Sequence, residues 1–157
     1  MSVKPIPEGY HAITPYLSIR GAAKAIDFYK QAFGAEELFR LAAPSGEIMH
    51  AEIKLGDSSI MLADSCEETG FLDPAKLGGT SVGIHLYVEN VDETFAQAVK
   101  AGAKPIKPVE DQFYGDRNGT LEDPYGHFWF VSTHIEDLNP EEVAERAKSL
   151  FAQDNRQ

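Results

Sequence analysis

His50 and Glu52, a histidine and a carboxylate two positions apart, are the residues of this chain best spaced to do chemistry together. On a β-strand alternate side chains point to the same face, so the two share a surface with side chains roughly 7 Å apart. Joined by His85, they make a two-histidine, one-carboxylate set of the kind that holds zinc or iron. Left as a pair, they read as partners in a hydrogen-bond network of the sheet. His85 alone has the ordinary imidazole pKa of roughly 6.5 that suits a general base. Arg117, in Tyr114-Gly115-Asp116-Arg117, is a candidate two-pronged clamp for a carboxylate or phosphonate. Its other reading is a salt bridge to Asp116, Glu122 or Asp123 that fixes a hairpin. Cys66 stands beside Glu67 and Glu68, whose charge is expected to raise its pKa and leave it a poor nucleophile. No serine elbow, phosphate-cradling glycine loop, CxxC pair or HExxH occurs, so hydrolase, nucleotide-binding and zinc-protease chemistries find no support.

The elements that must position these residues are legible in the periodicity. His11–Ile19 alternates as a strand, with Pro15 arguing for an edge or a bulge. The apolar residues of Gly21–Phe33 recur at helical spacing, and Gly34 is a natural stop. Strands are predicted over Glu37–Ala42, Glu47–Leu55 and Ser58–Asp64. Residues 65–81 lack periodicity and read as a linker. The pattern then restarts: a strand over Val82–Val88, a helix from Val91 to Gly102, and strands near Lys104–Lys107, Gly119–Glu122 and Phe128–Thr133. Pro108–Phe113 reads as a long polar loop that brings Tyr114 and Arg117 to the rim. Asp123-Pro124-Tyr125-Gly126 is a tight turn, with His127 capping or packing it. Asn139–Gln153 is a separate helix: Asn139 is the N-cap, and Glu141 and Glu142 favour the positive end of its dipole.

Each half therefore reads βαβββ, the first module over 10–64 and the second over 82–136, and the halves superpose at an offset of 68 to 69 residues. Alternation turns Ile84, Leu86, Val88 and Trp129 toward the helix and leaves Gly83, His85 and Tyr87 on the opposite face. In the first half it turns Met49, Ala51 and Ile53 to the apolar side, away from His50 and Glu52. His11 and His134 find no partner in the sequence.

Particular motifs carry a family resemblance: Ala25-Ile26-Asp27-Phe28-Tyr29 through Phe33-Gly34, Ile48 to Glu52, Tyr114 to Arg117, and Asp123-Pro124-Tyr125-Gly126-His127-Phe128-Trp129. Together they resemble the vicinal oxygen chelate superfamily of glyoxalases, bleomycin resistance proteins and extradiol dioxygenases, and within it the PhnB-like branch. The resemblance implies an α+β, glyoxalase-like fold, in which two βαβββ repeats form a cup-shaped mixed sheet or barrel with a C-terminal helix added. It also implies a homodimer with paired or exchanged modules. Enzymes of the superfamily hold a divalent metal on four inner strands, and the corresponding positions here are Thr14, Met61, Gly83 and Phe130. None is a usual metal ligand, so no cofactor is expected; the alternative is a relocated zinc, iron, manganese or nickel at His50, Glu52 and His85. The expected cup lining is Tyr16, His50, Glu52, His85, Tyr87, Tyr114, Arg117 and Phe130: aromatic faces for a flat ligand and a few polar groups to orient it.

Composition bounds the partners. The 157 residues carry 14 Lys+Arg against 25 Asp+Glu, a formal charge of −11, which disfavours nucleic acid. No apolar run approaches the roughly 20 residues of a membrane helix, and a single cysteine excludes an internal disulfide. No signal peptide is apparent at the N-terminus, so the expected address is the cytoplasm. The sequence thus favours a binder that sequesters a small aromatic or cationic compound. The alternatives are a lyase, isomerase or dioxygenase with a relocated metal, or an accessory protein acting through its acidic surface and C-terminal helix.

Overall fold

The structure, a computed structural model, describes residues 2–154. The chain runs β1 (Tyr16–Ile19), α1 (Ala22–Phe33), β2 (Glu36–Ala42), β3 (Ile48–Leu55), β4 (Ser58–Asp64), α2 (Pro74–Leu77), β5 (Gly83–Tyr87), α3 (Val91–Ala101), β6 (Lys104–Asp111), β7 (Asp116–Glu122), β8 (Phe128–His134) and α4 (Pro140–Asp154). The strands form two four-stranded sheets, ordered β1-β4-β3-β2 and β5-β8-β7-β6, each with one parallel and two antiparallel pairings. The architecture is the expected α+β fold of two βαβββ repeats, with two separate sheets in place of a closed barrel.

The duplication is exact in register at the parallel pairs. Tyr16 pairs with Met61 in the first module and His85 with Phe130 in the second, each partner 69 positions on. The helix starts are tied down at equivalent places too. Gly21 and Ala22 donate their backbone N–H groups to the Asp64 carboxylate at 3.0 and 2.9 Å, because the Gly21 N-cap has no side chain to accept them. At the matching end of β8, Thr133 Oγ1 accepts from Val91 N and donates to Val88 O, both at 2.8 Å.

One apolar core joins the modules, and it lies on the helix side of both sheets. Leu17, Ile19, Ala51, Ile53 and Leu62 pack under α1, while Leu121, Trp129 and Val131 belong to the second module. The α1 rings of Tyr29 and Phe33 stand 5.4 and 4.5 Å from Trp129, which is fully buried, as its helix-facing position predicts. Asp123 ties the same junction: its carboxylate accepts from Tyr29 Oη (2.6 Å), Trp129 Nε1 (2.9 Å), Tyr125 N (2.9 Å) and His127 N (3.0 Å). His127 donates from Nε2 to Ser18 O at 2.9 Å, so it ties the turn to β1.

Several expectations are corrected. The first strand begins at Tyr16, and residues 11–15 form no strand; β1 is nevertheless the edge position that Pro15 argued for. Met49 is exposed, with Ile48 buried in its place, because the register shift between Leu41 and Ala42 inserts an extra β3 residue and breaks the alternation. The stretch read as a polar loop, Pro108–Phe113, is mostly strand, since β6 runs to Asp111 and β7 starts at Asp116. As an edge strand with register shifts, β6 tolerates Pro105 and Pro108. Within residues 65–81, Asp73 is buried, exchanges hydrogen bonds with Ser65 and caps α2. The C-terminal helix forms with its Asn139 cap, accepting from Glu142 N at 2.8 Å, yet buries none of its own residues. Arg146 holds it, through paired bonds to Glu136 at 2.6 and 2.9 Å and one to Phe113 O.

Candidate functional site

Because α1 and α3 occupy the helix side of each sheet and pack on each other, the opposite faces of both sheets point outward. Tyr16, Phe39, Leu41, Tyr87 and Phe130 lie on these outer faces with exposures between 38% and 59%. A single copy of the chain leaves them uncovered.

On the first sheet the structure brings together Tyr16, His50 and Glu52. Tyr16 Oη is 2.7 Å from His50 Nδ1, and His50 Nε2 is 3.3 Å from Glu52 Oε1. His50 and Glu52 are thus joined in one hydrogen-bonded string with Tyr16. Burial, then the Glu52 charge, holds the Tyr16 pKa above its ordinary value, so Tyr16 remains a phenol. Phe71, from the segment read as a linker, sets its ring edge-on to Tyr16 at 5.3 Å, and Phe39 lies 6.3 Å from His50. Tyr10 is a member that sequence reasoning missed. Its hydroxyl is buried without a hydrogen-bond partner among the described residues, and burial together with nearby Glu52 raises its pKa. Nothing local marked Tyr10, because it reaches Glu52 only through the path of the N-terminal segment.

On the second sheet His85, Tyr87 and Phe130 sit together. The His85 ring is 4.8 Å from Tyr87 and stacks at 6.2 Å on Phe130. Its Nε2 is 2.8 Å from Ser132 Oγ. Tyr87 donates to Asp116 at 2.7 Å, which raises its pKa, and Tyr114 Oη accepts from Asn118 Nδ2 at 2.6 Å. His134, for which the sequence offered no partner, lies between Asp116 (2.7 Å from Nδ1) and Asp137 (2.7 Å from Nε2). Hydrogen bonds to those two carboxylates raise its pKa.

Arg117 makes the internal ion pairs of its second reading, one of them across the β6/β7 hairpin, but with other partners than expected. Its side chain lies on the helix side of β7, doubly bonded to Asp92 at 2.9 Å and singly to Asp111 at 3.0 Å. It therefore rims no cup, and its partners are not Asp116, Glu122 or Asp123: strand alternation puts Asp116 and Arg117 on opposite faces. Cys66 is corrected as well. Hydrogen bonding with Thr69 lowers its pKa, outweighing the opposing charge of Glu68.

The four positions of the superfamily's metal do not suit one. Thr14 and Met61 supply a hydroxyl and a thioether, and Gly83 and Phe130 supply nothing. The Phe130 ring also fills the space where a side chain at position 83 would begin. His50 and Glu52 lie on one sheet and His85 on the other; among the described residues no three His, Cys, Asp or Glu converge as ligands. Between the modules runs a groove of about 840 Å³ whose lining includes His11, Thr14, Ser59, Gly83, His85 and Tyr87. No helix among the described residues is long and apolar enough to cross a membrane.

Comparison with known proteins agrees with this geometry. A family model described as Glyoxalase/Bleomycin resistance protein/Dioxygenase superfamily matches residues 11–131. An uncharacterized protein of Mycobacterium bovis is 40% identical over 135 residues, covering 84% of this chain and 89% of that protein. Among solved structures, TioX from Micromonospora sp. ML1 is 26% identical with a TM-score of 0.63, covering 82% of this chain and all of its own. A PhnB protein from Bacillus cereus, 21% identical with a TM-score of 0.61 over 78% of this chain and 99% of its own, shares the fold. The chain belongs to the glyoxalase/bleomycin resistance protein/dioxygenase superfamily.

Proposed function

We propose that this chain binds and sequesters a small, flat aromatic compound, neutral or cationic, on the outer faces of its sheets, without a resident metal. One observation carries the reading: exposed aromatic rings stand beside hydrogen-bonding groups on both faces, Tyr16 with His50 and Tyr87 with Asp116. Rings and a few fixed polar groups are the ingredients of a small-molecule site. The charge of −11 favours a cation over an anion as ligand. We further propose that a second copy of the chain covers these faces, since aromatic surface of this extent marks an interaction site.

The test pairs a thermal-shift panel of flat aromatic compounds with elemental analysis of tag-free protein. A ligand present at 100 times its Kd stabilises by about 2.7 kcal/mol. Unmoved melting across the panel would refute the binding reading and favour the accessory role. Close to one equivalent of zinc, iron, manganese or nickel, lost in His50→Ala or His85→Ala, would refute the metal-free reading. It would favour instead the lyase, isomerase or dioxygenase alternative. A monomeric mass at micromolar concentration would refute the dimer.

A further inference from the structure

The connectivity of Tyr16, His50 and Glu52 goes further than a binding surface. An ionised carboxylate can only accept, so Glu52 takes the proton of His50 Nε2. Neutral His50 is then left with Nδ1 as an acceptor, and Tyr16 donates its hydroxyl there at 2.7 Å. The result is a directed chain from phenol to imidazole to carboxylate, whose phenolic end stands on the outer face with 42% exposure. The Tyr16 oxygen still has lone pairs free to accept from a bound molecule. Phe71 and Phe39 flank the chain with rings, and the unpartnered Tyr10 hydroxyl lies beside Glu52.

Resting on the binding function proposed above, we infer that Tyr16, His50 and Glu52 form a proton relay that takes the proton of an acidic phenolic or enolic hydroxyl on the bound compound. The step balances without any other reactant. The ligand O–H proton passes to Tyr16 Oη as the Tyr16 proton passes to His50 Nδ1. The ligand becomes an oxyanion hydrogen-bonded to Tyr16, and His50 becomes an imidazolium against Glu52. No bond between heavy atoms changes and no electron is transferred. The charge argument selects the same route: a preformed anion must approach a chain of net charge −11, whereas a neutral phenol that ionises inside the complex adds no charge to it. The groups facing His50 are Tyr16 from β1 and Glu52 from β3, with Tyr10 and Ser59 beyond Glu52.

The probe is 4-nitrophenol, with 4-nitroanisole as the isostere that lacks the proton. Equilibrium dialysis reads retention, and the nitrophenolate absorption band reads where the proton resides. At about pH 7, just above the ordinary histidine range of roughly 6.5, the relay should shift the bound probe by about one pKa unit, roughly tenfold in its anion-to-phenol ratio. In Tyr16→Phe and His50→Gln, whatever probe remains bound should show that ratio returned to the free value. The imidazole ¹⁵N spectrum of the free protein should show His50 protonated at Nε2. A retained probe that stays a phenol overturns the relay and leaves the binding function standing, as does an anion undiminished in His50→Gln or a His50 protonated at Nδ1. Retention of neither compound overturns the relay and the proposed ligand class together.

Discussion

Replacing Asp123 by asparagine tests the account of how the two modules are held as one body. Its carboxylate is 4% exposed and accepts four hydrogen bonds: Tyr29 and Trp129 on Oδ2, and the backbone N–H groups of Tyr125 and His127 on Oδ1. Asparagine has nearly the same shape but one acceptor oxygen and one NH₂ donor. Whichever way it turns, one pair of donors keeps an oxygen and the other pair faces a donor. Hydrogen bonds to a charged group contribute about 1.5–3 kcal/mol each, and a buried donor left unsatisfied costs about 1–3 kcal/mol. Two lost bonds and the weakening of the other two give an expected loss of about 3–5 kcal/mol. That is a large fraction of the roughly 5–15 kcal/mol typical of a domain. Tyr29→Phe removes one of the four donors and should cost about 1–2 kcal/mol. Urea unfolding followed by circular dichroism measures both, and the double variant should lose less than the sum of the two, since the groups share one carboxylate. A loss below about 1 kcal/mol for Asp123→Asn would show that solvent already reaches the carboxylate, and would refute its role as the tie between α1 and β8.

Two further outcomes follow from the same geometry. Asp116 and Asp137 raise the folded-state pKa of His134, so its contribution to stability is complete below the unfolded histidine pKa of roughly 6.5 and disappears as pH rises through the higher folded value. The stability gap between the wild type and His134→Gln should therefore be widest in mildly acidic solution and close on the alkaline side; a gap constant with pH would sink the argument. In Gly119→Ala the new methyl would sit 2.6 Å from the Phe95 ring and 3.0 Å from Val109, between β7 and α3. Overpacking of this kind costs about 1–3 kcal/mol, read as a lower urea midpoint with an unchanged slope; an unshifted midpoint would mean that the ring moves freely.

Much of the architecture was legible because its causes are local. The α1 stripe with Gly34 beyond it, the Asn139 cap and the turn at Asp123 to Gly126 are each set by a few neighbouring residues, so periodicity and turn chemistry place them. The 69-residue register of the repeats was equally available, and the β1/β4 and β5/β8 pairings reproduce it. Where a non-local event intervened, local reading failed. A single bulged residue exposed Met49 in place of Ile48, because a period of two does not survive an insertion. Pairing with β7 drew Pro108–Asp111 into a strand although its proline and charges read as loop.

The candidate site divides along the same line. Residue types and alternation alone determined that His50 shares a face with Glu52, that His85 and Tyr87 turn away from the helix, and that Trp129 belongs to the core. Only the tertiary structure decided that Tyr16 hydrogen-bonds to His50, that Tyr10 reaches Glu52 from the N-terminal segment, and that Arg117 points back to Asp92 on α3. It also decided that α1 packs against α3, which separates His50 from His85 and leaves both outer faces open within one chain. The physical reason is common to all of these: a strand's faces follow from the geometry of its own backbone, whereas the partner that meets each face is chosen by the packing of elements far apart in the chain.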